Sequence, residues 1–146
     1  MRPGPRMSGK RRLLHQDRSG QALVEFALVV PLLLILIVGV VELSRAWSAH
    51  QVITNTAREA LRSAVVDDPL FTQERMHGRI DEQLRLASLD PSKADVAMDG
   101  WKAGTGSAAR IKLSYSFDFS ILGPLMEWAT GKRTVTISTG FVMRNE

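Results

Sequence analysis

The 146-residue chain predicts an α+β fold. A long N-terminal helix, apolar all round in its first half and amphipathic in its second, packs on a small three-stranded antiparallel sheet with one additional helix. Three observations predict it. Residues 26–41 (FALVVPLLLILIVGVV) contain no charged or hydrogen-bonding side chain. From Leu43 to Ala64, apolar residues recur at spacings of three and four, the helical period. After Pro91, three segments alternate apolar and polar residues with period two, the pattern of strands with one wet face.

Residues 1–20 form a basic leader, in which Arg2, Arg6, Lys10, Arg11, Arg12 and Arg18 face only Asp17. With two prolines, three glycines and nothing to pack, the leader is expected to be disordered. The rest of the chain holds 13 basic and 14 acidic residues. The net charge of +4 and the pI near 10.0 therefore describe a tail. A basic nucleic-acid-binding domain is excluded as the reading, and no nucleic-acid partner is expected. The absence of cysteine rules out disulfides, thiolate nucleophiles and cysteine metal sites.

The apolar run extends from Ala22 to Leu43, and 22 residues of helix span about 33 Å, the thickness of bilayer hydrocarbon. About a hundred other residues could not cover such a cylinder in a soluble core. Residues 21–43 are accordingly expected to form a transmembrane helix, with the basic leader cytoplasmic and residues 44–146 outside. A secretory signal peptide cut after Ala46 is the rival reading. The apolar run exceeds the usual signal core, and Trp47 would follow the cut. Pro31 removes one backbone donor in mid-span and predicts a kink. Gly39 permits a close helix contact but has no GxxxG partner.

The junction at Arg18-Ser19-Gly20-Gln21-Ala22-Leu23-Val24-Glu25-Phe26 is more specific. A carboxylate one turn inside an apolar helix costs about 2–3 kcal/mol at mid-bilayer and less near the interface, so Glu25 needs an explanation. Snorkelling to the headgroups is one. The other is a cut after Gly20. Gln21 would then carry a free amine at position i and Glu25 a carboxylate at i+4, on one helix face. Pairing would offset the cost of holding either group in lipid.

A basic leader ending in Gly, followed by an apolar helix with Glu at the fifth mature position, resembles the type IV prepilin signal. The longer stretch GQALVEFALVVPLLLILIVGVVELSRAW resembles the start of the TadE-like pseudopilins, minor pilins of the Tad (Flp) type IV pilus system. The shared features are Val24-Glu25-Phe26-Ala27, a Leu-rich span with Pro31, and the closing Glu42-Leu43-Ser44-Arg45. VTISTGFVMRNE is similar, more weakly, to the family's final strand. The resemblance implies a pilin-like fold and prepilin-peptidase cleavage between Gly20 and Gln21. It also implies Glu25 as the subunit charge-pairing residue and a role in initiating, anchoring or assembling the pilus. The implied partners are other Tad pilins and pseudopilins, the prepilin peptidase, the inner-membrane assembly platform and membrane lipid. Many major pilins begin with Phe, whereas Gln21 would be the first mature residue here, which leaves N-methylation open.

Beyond the membrane, Leu43, Ala46/Trp47, His50, Ile53, Ala57, Ala60/Leu61 and Ala64 form the expected packing stripe of a helix that Asp67-Asp68-Pro69 ends. Glu42–Arg45 and Glu59–Arg62 are i,i+3 pairs. A second helix is expected from Thr72, its cap, to Leu89, with Met76, Ile80, Leu84 and Ala87 as its stripe and Asp90-Pro91 as its stop. The strands are carried by Ala94, Val96 and Met98, by Ile111 to Phe119, and by Val135, Ile137, Phe141 and Met143. Ile121 to Ala129 reads as an apolar connection with a helical turn after Pro124, and Gly131 as the start of the last strand.

No enzyme chemistry is expected, and no catalytic, cofactor-binding or metal site. Gly104-Thr105-Gly106-Ser107-Ala108-Ala109 fits GxGxxA, but a strand follows it where the dinucleotide fingerprint needs a helix, so it reads as a hairpin loop. His15, His50 and His77 are divided by the membrane, and His77 with Asp81 is only a two-ligand pair. No serine sits in GxSxG. Asp67-Asp68 and Asp81-Glu82 read as solvated. The expected function is a non-enzymatic pseudopilin at the cytoplasmic membrane. The alternative is an uncleaved single-pass protein whose outer domain binds an envelope partner or ligand.

Overall fold

Leucine, valine and isoleucine without interruption give a helix that needs no partner for its backbone, since each N–H closes on the carbonyl four residues back. The computed structural model describes residues 13–66, 71–101 and 103–145, with side chains from residue 20 onward. The first element, α1 (Leu13–Val65), contains Pro31. Its start lies inside the stretch expected to be disordered. Leu13 to Arg18 contain no proline or glycine, and extending a helix already nucleated costs far less than starting one. The leader's basic cluster before Leu13 and the stop at Asp67-Asp68-Pro69 lie outside the described residues.

The chain divides into two units, residues 1–40 and 41–146. In the first, the helical residues from Gly20 onward hold their apolar side chains unburied, with Leu28 at 72% and Leu32 at 70% exposure. The helix is long and apolar enough to cross a membrane, and none of its most apolar 18-residue window is buried.

The second unit is two layers. Its sheet has the order β1 (Ala94–Asp99), β2 (Ala108–Asp118), β3 (Thr134–Arg144), all antiparallel. Leu113 lies between Val96 and Thr139, and Tyr115 between Ala94 and Ile137. Ala109, Ile111, Leu113, Tyr115 and Phe117 of the central strand are buried, while Arg110 and Lys112 between them are exposed. That alternation puts one face into a single core with Ala49, Ile53, Ala57 and Leu61 of α1 and with Met76, Ile80 and Leu84 of α2 (Gln73–Leu86). β3 is an edge strand with a half-buried face, and Val135, expected to point inward, is 43% exposed.

The α1 stripe is as expected from Ile53 onward and differs before it. Leu43 and Trp47 are exposed at 68% and 63%, whereas Glu42 and Ala49 are buried at 1% and 2%. Small residues decide this: Ala49, Ala57, Ala60 and Ala64 let the helix approach the sheet, and the bulky Leu43 and Trp47 fall on another face. His50 is partly buried and stacks on Trp47 at 5.8 Å. No ion pair joins Glu59 to Arg62, both being exposed, while Arg58 lies over the Phe141 ring at 4.7 Å.

Thr72 caps α2 as expected, accepting from the Arg75 N–H at 3.3 Å. The helix stops at Leu86, before Asp90-Pro91 is reached. Ser88 adopts a left-handed φ of 59°, and the Leu89 N–H donates to the Leu84 carbonyl at 2.8 Å. This Schellman closure ends the helix without glycine. Ala87 consequently falls at the cap and leaves the stripe. Asp90-Pro91 instead opens a short 3-10 turn, α3 (Pro91–Lys93), with Asp90 accepting from the Ser92 N–H.

The expected turn after Pro124 is a full helix, α4 (Gly123–Thr130). Gly131 caps it at a left-handed φ of 72° and does not start the strand; β3 runs over Thr134–Arg144, where residues 134–144 alternate. The Gly-rich stretch is the β1–β2 hairpin loop. Gly100 there has φ 75°, and a Cβ would meet the Ala108 carbonyl oxygen at 2.3 Å. Asn145 ties the loop down: its side-chain amide donates to the Gly100 carbonyl at 2.8 Å and to Ser107 Oγ at 2.7 Å. Its backbone exchanges bonds with Gly106 and Ser107.

Candidate functional site

The sequence-derived site residues all lie in the first unit, on α1. Gly20 and Gln21 are exposed, and a Cβ at Gly20 would meet nothing within 4 Å. Nothing in the fold therefore requires glycine at that position. Gln21 and Glu25 share a helix face, and the Gln21 Nε2 amide donates to Glu25 Oε1 at 3.0 Å. Pro31 stands within the helix, exposed, among apolar side chains that have no protein cover. Gln21 and the Glu25 carboxylate are thus one helical turn apart.

A second constellation stands where the apolar run ends, and sequence reasoning found only half of it. Glu42 and Arg45 form the expected i,i+3 pair, Arg45 Nη1 to Glu42 Oε2 at 3.1 Å. The pair is not a surface pair. The Glu42 side chain is 1% exposed, and its Oε1 accepts the Ile121 N–H at 2.7 Å. Arg45 also donates to Ser120 Oγ at 3.0 Å and lies 5.7 Å from the Phe117 ring centre. Two residues of one helical turn therefore hold the chain leaving β2. A buried carboxylate is tolerated when its lone pairs are filled, and here a guanidinium and a backbone amide fill them. The signal for this was in the sequence: Glu42, Ala46, Ala49 and Ile53 are spaced by four, three and four, in phase with the buried stripe.

Asn145 is the other structural polar residue missed. Its side-chain oxygen is buried without a partner, as are His50 Nδ1 and the Thr54 hydroxyl. No sequence pattern marks it. Among the described residues, no three metal-capable side chains converge, and no ion pair joins His77 to Asp81.

Together these features define an α+β protein in which one helix, unburied and lipid-compatible along its first half, continues into a helix-on-sheet domain. Residues 20–62 match the model of the family described as TadE-like protein. The match covers less than a third of the chain and is a likeness of that segment. The matched residues begin at Gly20 and take in Gln21, Glu25, Pro31, Glu42 and Arg45. They stop before α2, so the resemblance of the last strand lies outside them. No curated protein and no solved structure matches the chain.

Proposed function

We propose that the protein is a non-enzymatic pseudopilin that helps assemble or anchor a Tad-type pilus after prepilin-peptidase cleavage between Gly20 and Gln21. The observation behind this reading is the family match beginning at Gly20, on a helix whose apolar side chains have no protein cover. The basic leader stays cytoplasmic and the domain from residue 44 onward lies outside. The span then faces lipid or the helices of other Tad pilins and pseudopilins at the assembly platform. Cleavage converts Gln21 into an ammonium group one turn from Glu25. The two charges compensate each other within one subunit or between staggered neighbours, where each alone would be costly in lipid.

Intact-mass spectrometry of the membrane-extracted protein tests the cleavage. The expected N-terminus is Gln21; an N-terminus at Met1 or at Trp47 overturns the reading. Glu25→Ala is expected to reduce recovery in isolated pili or in complexes with partner pilins far more than it reduces cleavage. Normal incorporation of that variant would defeat the pairing role.

A second reading has one observation in its favour. In the intact chain the Gln21 amide already partners Glu25, so the carboxylate has a neutral hydrogen-bond donor without any cut. An uncleaved single-pass protein binding an envelope partner or ligand through its outer domain predicts a retained leader and little effect of Glu25→Ala.

A further inference from the structure

The segment after β2 is fixed to α1 at Glu42, one residue beyond the apolar run 26–41. The Ile121 N–H is bound by the Glu42 carboxylate at 2.7 Å and Ser120 by Arg45 at 3.0 Å. α4 starts two residues later, at Gly123. Its half-buried side chains are Leu122 and Met126. Ile121, Leu125 and Trp128, at positions i, i+4 and i+7, form a separate stripe, exposed at 62%, 46% and 85%. An indole so exposed, on an apolar stripe tethered where the hydrophobic run stops, has the composition of a membrane-interface element. Lys132 and Arg133 follow the Gly131 cap; Arg133 pairs with Glu127 of α4 at 3.1 Å, and Lys132 adds a cation beside the stripe, as suits a surface of anionic headgroups.

We propose that α4 is an interfacial anchor. Ile121, Leu125 and Trp128 insert at the headgroup level of the bilayer that residues 26–41 cross, giving the outer domain a second point of attachment beside its helix. The inference rests on the membrane-spanning reading of α1. It commits to lipid, since the tether fixes α4 to the residue at which the lipid-compatible run ends; a protein partner is an outcome of the test.

The chain contains no cysteine, so single cysteines report cleanly. Trp128→Cys, Lys112→Cys on the open face of β2, and Leu34→Cys in the apolar run are each made in the full chain. Each is labelled with an environment-sensitive fluorophore and reconstituted at low density in phosphatidylcholine–phosphatidylglycerol vesicles. Trp128 is almost wholly exposed, so its replacement opens no core. Lipids spin-labelled near the headgroup are expected to quench position 128 several-fold more than position 112. Lipids labelled at mid-chain are expected to quench position 34. Position 128 behaving like 112 while 34 is quenched overturns the anchor and leaves the span standing. A shielded but unquenched label at 128 also overturns it, in favour of a protein partner. An unquenched position 34 defeats the span, and the anchor with it.

Discussion

Leu28 and Leu32 of α1 are exposed at 72% and 70%; Leu84 of α2 and Leu113 of β2 are at 0%. The residue type is the same and its treatment is opposite. In the first unit a helix satisfies its own backbone, so only its side chains need a non-aqueous neighbour, and lipid or another helix can supply it. In the second, a sheet of three strands cannot close its edges and has one face to cover. Its side chains must be buried by the chain itself. The comparison teaches that burial here is set by what surrounds the residue: Leu61 and Leu32 stand on the same helix at 0% and 70% exposure, since leucine is compatible with either solvent.

Truncation is the strongest way to break the comparison. Leu113→Ala is expected to destabilise the outer domain by about 2–5 kcal/mol, the cost of an unfilled core cavity. Leu32→Ala should leave that domain's unfolding midpoint unchanged. Denaturant titration of the full chain in detergent, followed by near-UV circular dichroism, reads both; equal effects would erase the distinction. The Glu42 clamp comes next. Glu42→Ala leaves the Ile121 N–H and Arg45 without their acceptor, at an expected cost of about 1.5–3 kcal/mol. Glu42→Gln retains one acceptor and should cost less. A Glu42→Ala variant as stable as the parent would show that the clamp is incidental.

The smallest effect concerns pH and sharpens the contrast between buried and exposed polar groups. Hydrogen bonds from the Ser92 hydroxyl and then the Ser92 N–H hold the Asp90 carboxyl below its usual range. Its folded value is the lower one, so its stabilisation is present above about pH 4, the ordinary carboxylate range, and is lost as pH falls through the folded value. The hydrogen bond and ion pair with Asp118 raise Lys93. Its folded value is the higher one, so its contribution is present below about pH 10, the ordinary lysine range, and is lost as pH rises through the folded value. Both groups are exposed, so the effects are slight. Thermal midpoints against pH should lose only the acid shoulder in Asp90→Asn and only the alkaline one in Lys93→Gln.

Periodicity made most of the fold legible. Ile111 to Phe117 alternate without interruption and became the central strand; Met76, Ile80 and Leu84 predicted the inner face of α2; Thr72 announced its cap. The departures have separate physical causes. Leu43 and Trp47, large and apolar, read as inward-facing, yet the approach of α1 to the sheet selects alanines and a satisfied carboxylate. Ser88 ends a helix by adopting a conformation that glycine would ordinarily signal. In the candidate site, spacing alone put Gln21 and Glu25 on one face, and the structure joins them. Spacing sets Glu42 in phase with the buried stripe, but the partner that satisfies it, the Ile121 amide, lies 79 residues away in sequence, and no local pattern encodes that contact.

The Asn145 clasp has a consequence for the order in which the domain can be completed. Strands β1 and β2 precede it in synthesis, but the loop joining them stays unlatched until residue 145 has arrived. The stripe of α1, made first, meanwhile waits for its cover from residues 109–117. A nascent chain therefore carries Ile53, Ala57 and Leu61 without their sheet cover until residues 109–117 are made, and a message truncated before codon 145 would yield a sheet with its hairpin unfastened.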